Sequence, residues 1–354
     1  MKRKVNLLLL AFLPVLASLG IQLAAAFLVS FWFSVVSIIR LILEGITDPE
    51  VLATGMANML LDPLFNDILM SVTYVALVVV FLIWYRKQKD QSPSVAFDEV
   101  FCIRNTIIIL VSGLATQTAI SMCLNLILPL FPQTLERYTS LLESLVGGSI
   151  IVSVITTAVL APIAEELIFR ELMTKQLRQL FPFWLANIIQ ALVFGIYHLN
   201  IVQGIYAFFF GLLCGYVAYR MRSIWASIML HGIVNASGLV LDIILPGALF
   251  ESTVGMIIFA ILCSTITVLL TLLYRFPTNG KPSDNTIPVS DFPIPSVESP
   301  IPYTNSDSVD ILSSAEDSLS SPETLKSAEN PSSNNSPDFI NTDSCNRKEE
   351  HNSI

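Results

Sequence analysis

The sequence predicts an all-α membrane protein, a bundle of about eight transmembrane helices followed by a disordered C-terminal tail. Apolar residues make up 53% of the 354 residues and charged residues 13%, whereas a soluble domain carries about 25% charged residues. The shortage of charge is confined to residues 1–276, which form a series of long apolar stretches. We therefore expect an integral membrane protein with the lipid bilayer as its surroundings.

Eight stretches are long and apolar enough for the roughly 20 residues that a membrane helix needs. The first is long enough for one tilted or kinked helix, or for a helix with a re-entrant piece. The predicted spans are residues 5–43, 68–85, 106–130, 148–173, 183–199, 202–219, 224–245 and 254–274.

Basic residues follow the predicted spans in a regular alternation, which indicates the orientation of the chain. Cytoplasmic loops are enriched in Lys and Arg. The chain start, every second loop and the segment after the last span are basic, whereas the alternate loops are mainly acidic. The basic residues are Lys2, Arg3, Lys4, Arg86, Lys87, Lys89, Arg104, Lys175, Arg178, Arg220, Arg222 and Arg275. This pattern predicts that both termini are cytoplasmic, at the plasma membrane if the protein is bacterial.

The polar tail, residues 277–354, carries the net charge of the whole chain. It holds 13 of the 28 acidic and 4 of the 19 basic residues, so the net charge of −9 belongs to it. Its Ser-, Asn- and Pro-rich composition cannot bury enough apolar surface to offset chain entropy, which predicts disorder. The 15 acids and 15 bases that remain balance without forming a basic patch, so we expect no nucleic-acid partner.

Ionisable side chains in the apolar spans are the candidate functional residues, because each costs roughly 2.5–3.5 kcal/mol at a membrane helix centre. The fourth span contains Glu165, Glu166 and Arg170. Arg170 follows Glu166 by four residues, the spacing of an ion pair on one helix face. Glu165 is rotated by about 100° from Glu166, so we expect it to be free to point into a cavity.

Histidines in two later spans extend this candidate site. His198 lies in the fifth span and His231 in the seventh, where Asn235 shares the helix face of His231 at i, i+4. Glutamate and histidine are the groups used for general-base hydrolysis. The same groups could relay protons, so the chemistry alone leaves a hydrolase and a proton-coupled transporter open.

Three motifs follow in order on these spans, Glu-Glu-x-x-x-Arg, Phe-x-x-x-His and His-x-x-x-Asn. Together they resemble the CPBP family, which includes the CAAX prenyl proteases with the Ras-converting endopeptidase, and bacteriocin-processing or self-immunity proteins. The resemblance covers about residues 100–275. It implies a protease core at 100–276, preceded by N-terminal membrane helices at 1–99 and followed by the tail at 277–354.

The resemblance also implies roles in cleaving a membrane-associated, prenylated or leader-peptide substrate. Glu165 matches the catalytic glutamate and His198 the histidine that helps it to activate water. His231 and Asn235 match the pair that holds the oxyanion, with Glu166 and Arg170 in support. We expect no cofactor; the alternative is zinc on Glu165, His198 and His231, since two histidines and a glutamate can bind it. A non-catalytic immunity or scaffold protein is the third functional alternative.

Overall fold

A computed structural model of the protein describes residues 2–46, 48–60, 62–88, 100–146, 148–244 and 252–273. The predicted disordered tail lies outside these residues. The described chain is helical, without a strand in the ranges given above. Its helices are α1 (Lys2–Leu43), α2 (Pro49–Leu60), α3 (Pro63–Gln88), α4 (Ile103–Ile127), α5 (Pro132–Val146), α6 (Ile150–Leu177), α7 (Phe183–Tyr197), α8 (Ile201–Met221), α9 (Ile224–Ile244) and α10 (Thr253–Leu273).

The predicted spans correspond to helices of two kinds. Six helices, α1, α3, α4, α6, α8 and α10, are long and apolar enough to cross a membrane. The other two predicted spans correspond to α7 and α9, whose apolar parts are shorter. The first span is a single helix with Pro14 inside it. The polytopic helical membrane protein predicted from composition is confirmed.

The short helices α2 and α5 lie in the connections between predicted spans. Each begins at a proline, a residue whose fixed φ and missing N–H suit the first helical position. Tyr138 of α5 is buried against Leu128 and Val202. Both are shorter than the roughly 20 residues of a membrane span, so span length alone does not predict them.

Helix α6 lies at the centre of the bundle, and its position explains how it can carry charged groups. Leu167, Ile168, Phe169, Leu172 and Met173 are all buried, in one core cluster with residues of α1, α3, α7, α8 and α9. Polar side chains on this helix therefore face protein rather than lipid, which is where membrane proteins place them.

Helices α7 and α8 form a tight hairpin that depends on glycine. A Cβ atom added to Gly195 would lie 2.5 Å from the carbonyl oxygen of Gly204, and one added to Gly204 would lie 2.8 Å from that of Gly195. Gly211 and Gly215, the GxxxG pair of α8, face Ala191 and Asn187 of α7 in the same way. The GxxxG pair thus serves packing within the bundle.

Candidate active site

Helix α6 has wider turns on both sides of its two glutamates. Ile155–Leu160 and Leu167–Met173 are π-helical, and the α-helical turn Ala161–Glu166 lies between them. Pro162 has no N–H group and so cannot continue the α-helical hydrogen bonding of the preceding turn. Such π turns within α-helices are frequent at functional sites.

Two backbone carbonyls of the π turn before Pro162 face helix α9. The side-chain amide of Asn235 donates to the carbonyl oxygen of Thr157 at 2.7 Å. One residue further along, the carbonyl oxygen of Ala158 would lie 2.7 Å from a Cβ atom on Gly232. Helix α9 therefore lies close enough to α6, at Gly232 and Asn235, to contact the α6 backbone directly.

We expect Gly232→Ala to separate α9 from α6, because the added methyl group would meet a backbone carbonyl that cannot rotate away. Over-packing of this kind costs about 1–3 kcal/mol, and the displaced α9 would also lower activity. Thermal unfolding of the purified protein in detergent measures the loss. Gly20→Ala is the matched control, since it is also a helical glycine but has nothing within 4 Å of an added Cβ. Equal unfolding temperatures of the two variants would contradict the close contact.

Glu166 is the centre of a buried polar cluster. Its Oε1 lies 3.1 Å from Nη1 of Arg170 and 2.8 Å from Nδ1 of His231. Its Oε2 accepts a hydrogen bond of 2.6 Å from the hydroxyl of Ser227. The ion pair predicted from the spacing of Glu166 and Arg170 is present. The guanidinium of Arg170 also lies 4.3 Å above the ring of Phe194, a cation–π contact.

Glu165 lies on the other side of His231. Its Oε2 is 3.7 Å from Nε2 of His231, and its Oε1 is 3.5 Å from the hydroxyl of Tyr74. Arg170 pairs with Glu166 and not with Glu165. The carboxylate of Glu165 therefore faces the imidazole of His231. A separation of 3.7 Å is too long for a direct hydrogen bond, and a water molecule can bridge groups at such a distance.

The two histidine rings are held by the same ring atom. Nδ1 of His198 lies 2.8 Å from the carbonyl oxygen of Phe194, and Nδ1 of His231 lies 2.8 Å from Glu166. A carbonyl and a carboxylate only accept, so we assign a hydrogen to Nδ1 in both rings. Nε2 of each ring is then the atom available for chemistry, and His231 presents it to Glu165.

His198 stands slightly apart from the glutamates, at the end of α7. The ring of Phe194 packs edge-on against both histidine rings, with its centroid 4.7 Å from that of His198 and 6.0 Å from that of His231. The chain then turns through Leu199 in a left-handed conformation (φ 54°), and Asn200 caps the first turn of α8. The structure thus brings Glu165, Glu166, Arg170 and His231 together, and His198 packs against the Phe194 ring, which also contacts His231.

Asn235, Ser227 and Tyr74 complete the surroundings. The predicted face of α9 extends one turn back, because Ser227, His231 and Asn235 are spaced four residues apart. That spacing was a usable signal for Ser227, which the sequence analysis missed. Tyr74 had no such signal, because it comes from α3, far away in sequence and outside the three motifs.

Metal-ligating atoms come together in a set that differs from the predicted one. Among the described residues, Glu166, Cys214 and His231 have ligand atoms within 4.8 Å of one another. This set fits a divalent cation poorly, because Arg170 already lies 3.1 Å from the carboxylate and would repel the ion. The predicted zinc ligands are Glu165, His198 and His231, so His231 alone is common to the two sets.

A comparison with protein families identifies the part of the chain that contains this site. Residues 147–237 match a family model described as "Rce1-like: Type II CAAX prenyl endopeptidase Rce1-like". This segment is therefore similar to the CAAX prenyl proteases, which supports the resemblance indicated by the three motifs. No curated protein and no solved structure matches the chain. The Rce1-like domain contains all six predicted site residues, Glu165, Glu166, Arg170, His198, His231 and Asn235, whereas Tyr74 and all of α1 and α3 lie outside it.

Proposed function

We propose that this protein is an intramembrane endopeptidase of the CAAX-protease type, which hydrolyses a peptide bond in a membrane-associated substrate with a water molecule activated by Glu165. The observation that carries the proposal is the buried array of Glu165, His231 and Glu166 inside the Rce1-like domain. In this array Glu166 orients the ring of His231 and also pairs with Arg170. Arg170 therefore does not pair with Glu165, which faces the other side of the ring. A base beside an oriented histidine is the arrangement that hydrolytic sites share.

Glu165 is the general base of the proposed reaction, since the charge of Arg170 is directed to Glu166. The water oxygen attacks the peptide carbonyl carbon while Glu165 takes one water proton. The resulting tetrahedral intermediate carries a negative oxygen. Glu165 then delivers that proton to the leaving nitrogen, and the oxyanion re-forms the carbonyl as the C–N bond breaks. The immediate products are a carboxylic acid and an amine, and transfer of the acid proton to the amine leaves a carboxylate and an ammonium group.

The other side chains orient the water and hold the oxyanion. Nε2 of His198 accepts the second hydrogen of the water, which aims the lone pair of its oxygen. His231, carrying a proton on Nε2, donates to the oxyanion, and the cluster of Glu165, Glu166, Arg170 and His231 is then formally neutral. The amide of Asn235 has two hydrogens; Thr157 uses one, and the second is available for the oxyanion.

Purified protein in liposomes, incubated with three quenched fluorescent peptides, tests the proposal. The probes are a farnesylated CAAX peptide, the same peptide without the lipid, and a bacteriocin-type leader peptide. Mass spectrometry identifies the bond that is cut. Cleavage of at least one probe by the wild type supports an endopeptidase. Proton movement that depends on Glu165, without cleavage of any probe, would instead support a transporter.

Orientation of the chain forms part of the same proposal. We infer from the loop charges that both termini are cytoplasmic, so the substrate approaches from the cytoplasmic side. Residues Lys175 and Arg220 near the ends of α6 and α8 would then face the cytoplasm. Protease digestion of sealed inside-out vesicles should remove the tail, and digestion of right-side-out vesicles should leave it intact.

We expect chelators to leave cleavage unchanged, because the proposed reaction activates its water with Glu165 and His198 directly, and the ligand atoms that come together around Glu166 fit a divalent ion poorly beside Arg170. Activity after exhaustive treatment with 1,10-phenanthroline, together with elemental analysis of the same sample, gives the measurement. Stoichiometric zinc that is lost in parallel with activity, and restored with it, would establish the metal-dependent alternative.

A further inference from the structure

We propose that Tyr74 is a positioning residue for Glu165, so that α3 completes a site whose recognised motifs all lie elsewhere. This inference rests on the proposed function. It assigns a role to the N-terminal part of the chain, which lies outside the Rce1-like domain. Tyr74 contacts the carboxylate and is not required to touch the substrate.

The contact is directional. The Tyr74 hydroxyl lies 3.5 Å from Oε1 of Glu165, and an ionised carboxylate only accepts, so the hydroxyl donates. The opposite oxygen, Oε2, faces His231 at 3.7 Å. The two contacts together fix the rotation of the carboxylate about its last bond. Oε2 is therefore held toward the histidine, where a water molecule has to be activated.

Helix α3 presents Tyr74 from a well-anchored face. Thr73, Leu77 and Phe81 are spaced four residues apart and are all buried, so one stripe of α3 packs into the bundle. Leu77 and Phe81 belong to the same core cluster as the residues that follow Glu166 on α6. Tyr74 lies next to this stripe, so its direction follows from the packing of the whole helix.

A second tyrosine links α1 to the end of α7, where His198 lies. The Tyr197 hydroxyl accepts a hydrogen bond of 2.6 Å from the side-chain amide of Gln22, a residue of α1. The ring of Tyr197 packs edge-on against Phe169 of α6 at 5.2 Å. Helix α3 therefore delivers the Tyr74 hydroxyl to Glu165, and α1 holds the Tyr197 hydroxyl at the end of α7.

Loss of the Tyr74 hydroxyl should affect the chemical step and not substrate binding. The variant Tyr74→Phe keeps the ring and its packing but removes the donor. Because 3.5 Å is long for such a bond, we expect kcat to fall about tenfold with KM unchanged. Tyr85→Phe, on the same helix about three turns away, is the matched control and should retain the wild-type kcat.

A second variant separates positioning from general destabilisation. In Glu165→Asp the carboxylate is one methylene shorter and cannot keep the 3.5 Å contact. Adding Tyr74→Phe to Glu165→Asp should therefore cause no further loss of kcat. Kinetics of all variants are measured on whichever probe peptide the wild type cuts, with thermal unfolding recorded in the same detergent.

The possible results are distinguishable. A wild-type kcat in Tyr74→Phe, while Glu165→Gln is inactive, overturns this inference and leaves the proposed function standing. A loss that appears in KM or in unfolding temperature, or that multiplies fully with Glu165→Asp, also overturns it by showing a structural role. Absence of cleavage by the wild type overturns the proposed function and this inference together.

Discussion

Glu165→Gln is expected to fold normally and to lose cleavage by about a thousandfold, within the range of 10²–10⁴ that a positioned general base contributes. Glutamine has the shape of glutamate but cannot take a proton from water. The side-chain contacts of Glu165 are long, 3.5 Å to Tyr74 and 3.7 Å to His231, so replacing it leaves no short hydrogen bond broken.

The measurement is kcat/KM of wild type and variant on the same probe peptide in liposomes. Glu171→Gln is the matched control, because it removes a carboxylate from the same helix outside the polar cluster and should change the rate little. Full cleavage by Glu165→Gln would rule out the proposed general base. Equal loss of activity in Glu171→Gln would indicate that any charge change on α6 is harmful, which would remove the argument for Glu165.

Comparison of α6 and α9 with α3 shows why part of the site could be predicted from the sequence. Contacts within a helix follow from spacing, so the Glu166–Arg170 pair and the shared face of His231 and Asn235 could be read directly. Charge in an apolar span is also conspicuous. Tyr74 and Glu165 are 91 residues apart in sequence and lie on different helices. A tyrosine in a membrane helix does not carry the free-energy cost of a charged residue, so its position in the sequence does not indicate a functional role.

The depth of His198 in the membrane does not follow from the assumption that every predicted span crosses the whole bilayer. At 1.5 Å per residue, α7 spans only about 22 Å, less than the roughly 30 Å of the hydrocarbon core. Its C-terminal end therefore stays at membrane depth when its start is at the surface. The close backbone approach of Gly195 and Gly204 lets α8 return from that point. The π turns around Pro162 likewise change the direction of side chains on α6 in a way that a 3.6-residue period does not describe.

The second large effect is expected for Arg170→Met, which should destabilise the protein by about 3–5 kcal/mol. Arg170 and Glu166 are both buried, with side chains 1% and 0% exposed. Removing the guanidinium leaves Glu166 as a buried charge without its counter-ion, and the carboxylate cannot reach water. Methionine fills a similar volume, so the loss reports charge and not a cavity. Unfolding temperature in detergent measures it, and an unchanged value would show that the ion pair contributes nothing to stability.

The double variant Glu166→Gln/Arg170→Met tests whether this cluster serves only the fold. With both charges removed, the introduced glutamine can still accept from Nδ1 of His231 through its carbonyl oxygen, and Ser227 can still bond to its amide. We therefore expect the double variant to recover most of the stability lost in Arg170→Met, since a buried ion pair is often replaceable as a unit. Activity is the discriminating readout. If it returns with stability, Glu166 acts by holding the His231 ring. If the folded double variant stays inactive, the negative charge of Glu166 is itself needed to stabilise a protonated His231 opposite Glu165.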